Sequence, residues 1–363
     1  MESIYKMMTT SRRLLFLVQA ITVMIILSSI SSAAADDLFL LSGQSNMDGH
    51  TTKGSTLTGS ADYWLSMKSI LSNGTSTMRD ELYDVIYEAN QRKSDATQVA
   101  NTLTNELMNL YDQGLLNDLD EPLTFGKCSF VRPKKNSNGK LKQISGGSVP
   151  TSWHSNCGFS FGHEWMLSRT LELQMGMNET TFEMVKHSCG GTSLYKHWYP
   201  DVGEFWPGLQ QTIRDRGTTT GVGNNINNWK GIIWHQGSQE VWSEKKLGED
   251  RSLTYLGNLT SLISHLRHEV YTASESGTWQ CKEEIPVVVV QLGYWPGRDA
   301  AQRVRDAQEE YCSNDARAQL VMTNDLSRNY HYDAPSFLIS GNRIAHAYRE
   351  ALKGEVVCPE TSQ

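Results

Sequence analysis

The 363-residue chain lacks several features that would place it in other classes of protein. After residue 35 no apolar run approaches the length needed to cross a bilayer, about 20 residues. Basic charge is not in excess, since 33 Lys and Arg stand against 40 Asp and Glu for a net charge of −7, which argues against a nucleic-acid partner. Internal repeats and an internal domain linker are also missing. One domain is therefore expected after the amino-terminal segment.

Residues 1–35 have the pattern of a secretory signal peptide. Arg12 and Arg13 precede an apolar segment, and three alanines before Asp36 supply the small residues of a cleavage site. An uncleaved membrane anchor is the alternative, because the apolar segment is nearly long enough to span a bilayer. With cleavage, the mature protein is secreted, has no membrane contact and begins at Asp36.

The six cysteines form an even set in a chain that is predicted to be exported, so disulfides are expected. Six cysteines allow about fifteen complete pairings, and the sequence does not choose among them. Three Asn-x-Thr triplets, at Asn73, Asn178 and Asn258, fit glycosylation of a secreted protein.

Predicted strands alternate with predicted helices along most of the chain. Apolar runs expected as strands begin near residues 38, 182, 229, 285 and 318. Helices are expected over residues 61–72, 96–116, 164–173, 207–216, 251–271, 301–312 and 340–353. This alternation predicts a mostly parallel sheet covered by helices on both faces. The basic, turn-rich stretch at 132–142 is expected to be a solvated loop.

The most informative stretch is an apolar run that ends at Gly43-Gln44-Ser45-Asn46-Met47. A buried strand that stops at a small turn leaves its serine hydroxyl at the carboxyl edge of the sheet, where α/β folds bind their ligands. Ser45 is therefore a candidate nucleophile. A plain polar turn is the alternative, since glycine, serine and asparagine all suit turns.

Three other segments next to predicted strand ends carry groups suited to acyl transfer, and these are Gly190-Gly191, Gln236 and His331. A serine needs a base to accept its proton, and the tetrahedral intermediate needs hydrogen-bond donors around its oxyanion. His331 is the candidate base. The candidate oxyanion donors are the N–H of Ser45, an N–H from Gly190 or Gly191, and the side-chain amide of Gln236.

These blocks resemble the SGNH-hydrolase superfamily and, within it, the carbohydrate acetylesterases of family six and the sialate O-acetylesterase-like group. Members typically show a Gly-Gln-Ser-Asn-Met nucleophile turn, which Gly43 to Met47 match without change. The remaining blocks resemble Gly190-Gly191-Thr192 with Trp198, Trp234-His235-Gln236-Gly237, and His331 to Ala345. The resemblance covers residues 38–351 apart from a segment near 85–145, which looks like an insertion in a single domain spanning 36–363.

The resemblance implies a flavodoxin-like three-layer α/β sandwich with a mostly parallel central sheet. It also implies a serine esterase that removes O-acetyl groups from a carbohydrate through an acyl-enzyme, without a cofactor or a metal. Gln44, Asn46 and Trp198 are then expected to bind substrate. Trp242 and Trp295, which fall in loops beside the predicted site, are further candidates for stacking on sugar rings.

Two other enzymatic interpretations fit the residues less well. A lipase of the α/β-hydrolase type would have a Gly-x-Ser-x-Gly elbow, but Met47 replaces its last glycine. A zinc-protease helix beginning at His163-Glu164 would need a second histidine one turn later, and none is there. His235 is expected to point away from Gln236, because successive residues of a strand face opposite sides of the sheet.

Two departures from the family pattern concern the carboxylate that orients the histidine. Arg328 stands where members usually have an aspartate, and Ser238 stands where they have a glutamate after Gln-Gly. Loss of the orienting acid can lower the rate by several orders of magnitude. Glu240 is the expected substitute, while Asp325 and Asp333 also lie nearby in sequence. A catalytically impaired, lectin-like protein that binds carbohydrate is the alternative function.

Overall fold

The computed structural model describes residues 37–48, 61–91, 95–117, 126–135, 141–150, 162–177, 182–217, 228–274, 277–326 and 331–358. At residues 48, 61–65, 126–135 and 141–150 it describes the backbone only. The predicted signal peptide and Arg328 lie outside these ranges. None of the helices within the ranges is long and apolar enough to cross a membrane.

The strands of the described chain form one sheet. They are β1 (Asp37–Gly43), β2 (Gly126–Lys135), β3 (Leu141–Pro150), β4 (Phe182–Ser188), β5 (Asn228–His235), β6 (Val287–Val290) and β7 (Ala318–Val321). Their order in the sheet is β3-β2-β4-β1-β5-β6-β7, and only the β2–β3 pair is antiparallel. The run β4-β1-β5-β6-β7 has the strand order of flavodoxin-like folds, which confirms the predicted fold class.

The helices of the described ranges cover both faces of this sheet. They are α1 (Ser45–Asp48), α2 (Ala61–Asn73), α3 (Met78–Asn90), α4 (Ala96–Asp112), α5 (Glu164–Met175), α6 (Trp206–Gly217), α7 (Ser238–Leu247), α8 (Tyr255–Thr272), α9 (Asp299–Ser313) and α10 (Ala334–Ala351). Short turns of π-helix (Leu194–Trp198) and 3₁₀-helix (Arg251–Thr254 and Lys282–Glu284) complete the helical structure.

Strand β1 is buried on both faces, which explains its unbroken apolar sequence. Leu38 and Leu40 pack into the core formed with α6 to α9. Phe39 and Leu41 point the other way and pack against α5 and α10. A third cluster joins α2, α3 and α4 to the outer sides of α5 and α10. The sheet is therefore the middle layer of three.

The prediction of a solvated loop over residues 132–142 is wrong for its first and last residues, which form strands. Its first residues belong to β2, which pairs with β4, and its last residues begin β3. Sheet pairing uses backbone hydrogen bonds, and lysine-rich sequences are common at sheet edges, so polarity alone was misleading here.

Helix α10 begins at Ala334, earlier than the predicted Ser340. Asp333 caps it, because its Oδ1 accepts a hydrogen bond from Ser336 N at 3.1 Å, and Pro335 occupies the first turn. A cysteine pair supports the expectation of disulfides, since Cys281 is bonded to Cys358 at the end of the described chain.

Candidate active site

The turn with the candidate nucleophile, Gly43 to Met47, lies at the carboxyl end of β1 between its two neighbouring strands, and we call it the nucleophile turn. Cys189 N, just after β4, donates to Gly43 O at 3.1 Å, and Gln44 N donates to His235 O at 3.0 Å. Ser45 is the first residue of α1 and is only 7% exposed. The turn thus sits at the sheet edge where this fold class binds ligands.

Gly43 has to be glycine for the chain to turn at this point. Its φ is 143°, a conformation that side chains oppose, and an added Cβ would lie 2.1 Å from His235 O. The close approach of β1 to β5 at Gly43 therefore fixes where Ser45 begins α1.

His331 reaches the same edge through its neighbour in the chain. Tyr332 N donates to Asn46 Oδ1 at 3.2 Å, across 286 residues of sequence. His331 itself is half-buried. The hydrogen bond from the backbone of Tyr332 to the side chain of Asn46 therefore brings the candidate base His331 near the candidate nucleophile Ser45.

The glycine pair lies beside this turn on the β4 side. Gly190 is half-buried, and Gly191 is exposed with a φ of 74°. Thr192 Oγ1 donates to Cys189 O at 2.7 Å and closes the loop. The segments predicted to form the site, which contain Ser45, Gly190-Gly191, Gln236 and His331, thus meet at one edge of the sheet.

The side chain of Gln236 does not point into this site as an oxyanion donor. Its Nε2 donates to Thr192 O at 3.1 Å and to Glu240 Oε2 at 2.5 Å, which uses both amide hydrogens. Two acceptors in these positions also fix which end of the amide faces them. In this arrangement both amide hydrogens of Gln236 have acceptors inside the protein, and its donor role stays a prediction.

Glu240 is likewise committed elsewhere. Its Oε1 accepts from Leu194 N at 2.7 Å, while Oε2 accepts from Gln236. Burial raises the pKa of Glu240 to about 7, although the bonds from Leu194 and Gln236 oppose that rise. The carboxylate holds the loop after β4 to the turn after β5, and the predicted orientation of His331 by Glu240 stays a prediction that these contacts do not support.

The three residues predicted to bind substrate make contacts inside the protein, and their roles in binding stay predictions. Gln44 Oε1 accepts from Gly237 N at 3.2 Å and Gln239 N at 3.4 Å, which caps α7. Asn46, 3% exposed, holds Tyr332. Trp198 is fully buried against Trp234, and its Nε1 donates to Thr192 Oγ1 at 2.8 Å. Gln44 and Asn46 were expected to bind substrate because they flank Ser45, and Trp198 because it follows the glycine pair, but neither position in the sequence shows that these side chains make contacts inside the protein.

A buried histidine pair behind the nucleophile turn was not predicted. His163 Nε2 and His235 Nδ1 lie 2.9 Å apart, and His163 Nδ1 lies 2.6 Å from Ser340 Oγ. His235 points away from Gln236, as the alternation of the strand predicted. Burial lowers the pKa of both rings, that of His235 to about 3, so both are neutral at pH 7. Nothing in the sequence links His163 to Ser340.

An ion pair lies in the same layer. Lys186 Nζ and Glu164 Oε1 are 2.9 Å apart, with side chains 1% and 8% exposed. The charge of Lys186 further lowers the pKa of His163. Within the described ranges no group of three or more His, Cys, Asp or Glu is placed to hold a metal ion.

Comparison with known proteins places the chain in a known class of hydrolase, the carbohydrate esterases. Residues 135–350, more than half of the chain, match the family model described as carbohydrate esterase, sialic acid-specific acetylesterase. The chain belongs to this family. No curated protein matches it.

Solved structures similar to the chain are distant. A protein from Arabidopsis thaliana has 15% identity and a TM-score of 0.46, with coverage of 87% of this chain and 98% of that one. A carbohydrate acetylesterase from Xanthomonas citri has 15% identity and a TM-score of 0.45, with coverage of 88% of this chain. The match spans 57% of the Xanthomonas protein.

Proposed function

We propose that the protein is a serine esterase that removes O-acetyl groups from a carbohydrate through an acyl-enzyme. Membership of the carbohydrate esterase family supports ester hydrolysis. The observation that carries the proposal is the nucleophile turn, held at the sheet edge by Cys189 and His235, with the segment of His331 bonded to Asn46.

In the proposed reaction, Ser45 Oγ attacks the carbonyl carbon of the acetyl group while His331 accepts the serine proton. The backbone N–H groups of Ser45 and of Gly190 or Gly191 stabilise the oxyanion. Collapse of the intermediate breaks the ester C–O bond, and His331 returns the proton to the departing sugar oxygen. Water then attacks acetyl-Ser45 with His331 as the base, which releases acetate and restores the serine.

The carboxylates that lie near His331 in sequence or at the same sheet edge have other hydrogen-bond partners. Glu240 is bonded to Leu194 and Gln236, and Asp325 forms a two-point ion pair with Arg343 at 2.7 and 2.9 Å. Asp333 Oδ1 caps α10. Arg328 and Ser238 stand where the family usually has the orienting acid, so we propose a lower rate than a full triad would give.

The test is hydrolysis of p-nitrophenyl acetate by the wild-type protein, Ser45→Ala and His331→Ala. We expect each variant to lose at least about 1,000-fold in kcat, because the nucleophile and its base act as a unit. Ser313→Ala and His268→Ala change the same residue types at exposed positions on α9 and α8 and should keep the wild-type rate. Full activity in Ser45→Ala or in His331→Ala would overturn the assignment.

One observation favours a second candidate function. Glu240, the expected substitute for the missing acid, is engaged elsewhere, so a carbohydrate-binding protein without catalysis is the alternative. Glycan binding by a wild-type protein that shows no Ser45-dependent hydrolysis would support this alternative.

A further inference from the structure

A pocket that the proposed reaction does not use opens at the carboxyl ends of β6 and β7. Its volume is about 540 Å³, and we call it the β6 pocket. Its wall is the loop that follows β6, the first turns of α9, and Met322 and Asn324 after β7. Strand β6 is two strands from β1 in the sheet.

The β6 pocket contains a buried polar group that lacks a partner. Gln291 lines it and is 4% exposed, and its backbone is fixed by Val321 O at 2.9 Å and Thr323 Oγ1 at 2.8 Å. Its side-chain Oε1 makes no hydrogen bond with any part of the described chain. Since a buried amide oxygen without a donor costs stability, a turn of this side chain toward the pocket, where a ligand donates a hydrogen bond, would relieve that cost.

Cationic side chains at the rim have spare hydrogen-bonding capacity. The guanidinium of Arg298 is half-buried and forms no ion pair with the residues described. Arg305 Nε donates to Leu292 O at 3.0 Å, and its Nη2 donates to Gly293 O, which holds the loop in place. These two cations are balanced by Asp299 and Glu309, which also line the pocket.

An aromatic wall completes the β6 pocket. Trp295 lines it and packs edge-to-face on Trp242, with ring centroids 5.5 Å apart. The pocket thus combines the amide of Gln291, two guanidinium groups and an indole, and the charges of its lining sum to zero. Such a lining suits a ligand whose hydroxyls both donate and accept hydrogen bonds and whose ring has an apolar face. A neutral sugar ring has these properties, whereas an anion would gain little from the balanced charges.

The loop of the β6 pocket touches the candidate active site. Gly293 packs against Tyr332, since an added Cβ would lie 3.1 Å from Cε1 of that ring, and Tyr332 N is bonded to Asn46. Two strand spacings separate β1 from β6, about 10 Å. The pocket therefore lies beside the candidate active site, at a spacing that suits a second unit of the same substrate.

We propose that the β6 pocket binds a neutral sugar unit linked to the acetylated one, so that the substrate is an oligosaccharide. Gln291 and Arg298 hydrogen-bond its hydroxyls, and Trp295 stacks on its ring. The location of the ester in this proposal rests on the proposed function, but the binding of the neutral unit does not require turnover.

The first test is calorimetric titration of the Ser45→Ala protein with unacetylated xylotriose, cellotriose and mannotriose. We expect at least one trisaccharide to bind. Adding Gln291→Leu, which keeps the side-chain volume, should weaken that binding about tenfold, the effect of a lost buried hydrogen bond. Gln211→Leu makes the same change at an exposed position on α6 and should leave it unchanged. Binding of none of the three, or equal binding by Gln291→Leu, would overturn the proposal.

The second test separates this proposal from the proposed function. This test uses the protein with its wild-type serine at position 45. We expect its kcat/KM for the acetylated form of the bound trisaccharide to be at least about tenfold higher than for the acetylated monosaccharide. Gln291→Leu should remove this difference. Trisaccharide binding that depends on Gln291, without Ser45-dependent hydrolysis, keeps the pocket and overturns the esterase. Hydrolysis without any trisaccharide binding keeps the esterase and overturns the pocket.

Discussion

Two buried polar clusters lie on opposite faces of the sheet behind the nucleophile turn. The histidine cluster, in the layer of α5 and α10, comprises His163, Glu164, Lys186, His235 and Ser340. The amide cluster, in the layer of α6 to α9, comprises Thr192, Gln236, Glu240, Tyr255 and Gln308. Consecutive residues of one strand end, His235 and Gln236, thus belong to separate cores.

Both clusters hold the same turn, but they respond to pH in opposite directions. His235 O accepts from Gln44 N, and Gly237 N, next to Gln236, donates to Gln44 Oε1. Burial lowers the pKa of His235 to about 3 and raises that of Glu240 to about 7. The comparison shows that one nucleophile turn is supported by a group that resists protonation and by another that resists ionisation.

The largest expected effect is on the ion pair of the histidine cluster. Lys186→Met leaves Glu164 buried without its cation, and we expect a loss of about 3–5 kcal/mol in the free energy of unfolding, measured with urea. Lys230→Met, which breaks the more exposed 3.2 Å pair with Asp37, should cost at most about 1 kcal/mol. Equal losses in the two variants would show that the histidine cluster does not depend on its buried charge pair.

The comparison also shows what the sequence could and could not predict. The apolar run of β1 and the turn residues after it place Ser45 at the sheet edge, because parallel strands end on the same side. Helix α7 was not predicted, since its amino-terminal cap comes from Gln44, 193 residues before Gly237. Local sequence carries no signal for a cap of that kind.

Side-chain roles within the candidate site were harder to predict than its position. Trp198 and Glu240 lie near the site in sequence and in space, but their polar atoms meet Thr192 and Leu194 inside the protein. These partners come from the loop after β4, whose path follows from tertiary packing. Sequence analysis therefore predicted which segments converge, whereas the contacts that their side chains make inside the protein could not be predicted from it.

A smaller effect tests the histidine side of the comparison through acid stability. Because the folded pKa of His235 is about 3 and the unfolded value is 6.5, stability from this group is full above pH 6.5 and is lost as pH falls. From pH 8 to pH 4 the loss is about 3 kcal/mol. His235→Asn should flatten the fall of unfolding free energy over that range, as followed by urea titration at each pH.

The control for this measurement is an exposed histidine. His268→Asn, on the surface of α8, should keep the wild-type dependence on pH. If His235→Asn and the wild-type protein lose stability in parallel down to pH 4, the ring of His235 is protonated in the folded protein, and the contrast between the two clusters disappears.

The smallest effect concerns the amide cluster and has the opposite sign. The folded pKa of Glu240, about 7, lies above the unfolded value of 4.5, so its contribution is full below pH 4.5 and is lost as pH rises through 7. Between pH 5 and pH 7 this amounts to about 2 kcal/mol. The side chain in Glu240→Gln cannot ionise, so the unfolding free energy of this variant relative to wild type should rise by that amount from pH 5 to pH 7. The control is Glu310→Gln, at an exposed position on α9, which should show no such trend. A constant difference in unfolding free energy between Glu240→Gln and the wild-type protein would mean that Leu194 and Gln236 keep the carboxylate ionised throughout this interval. Neither cluster would then change its charge across the neutral range.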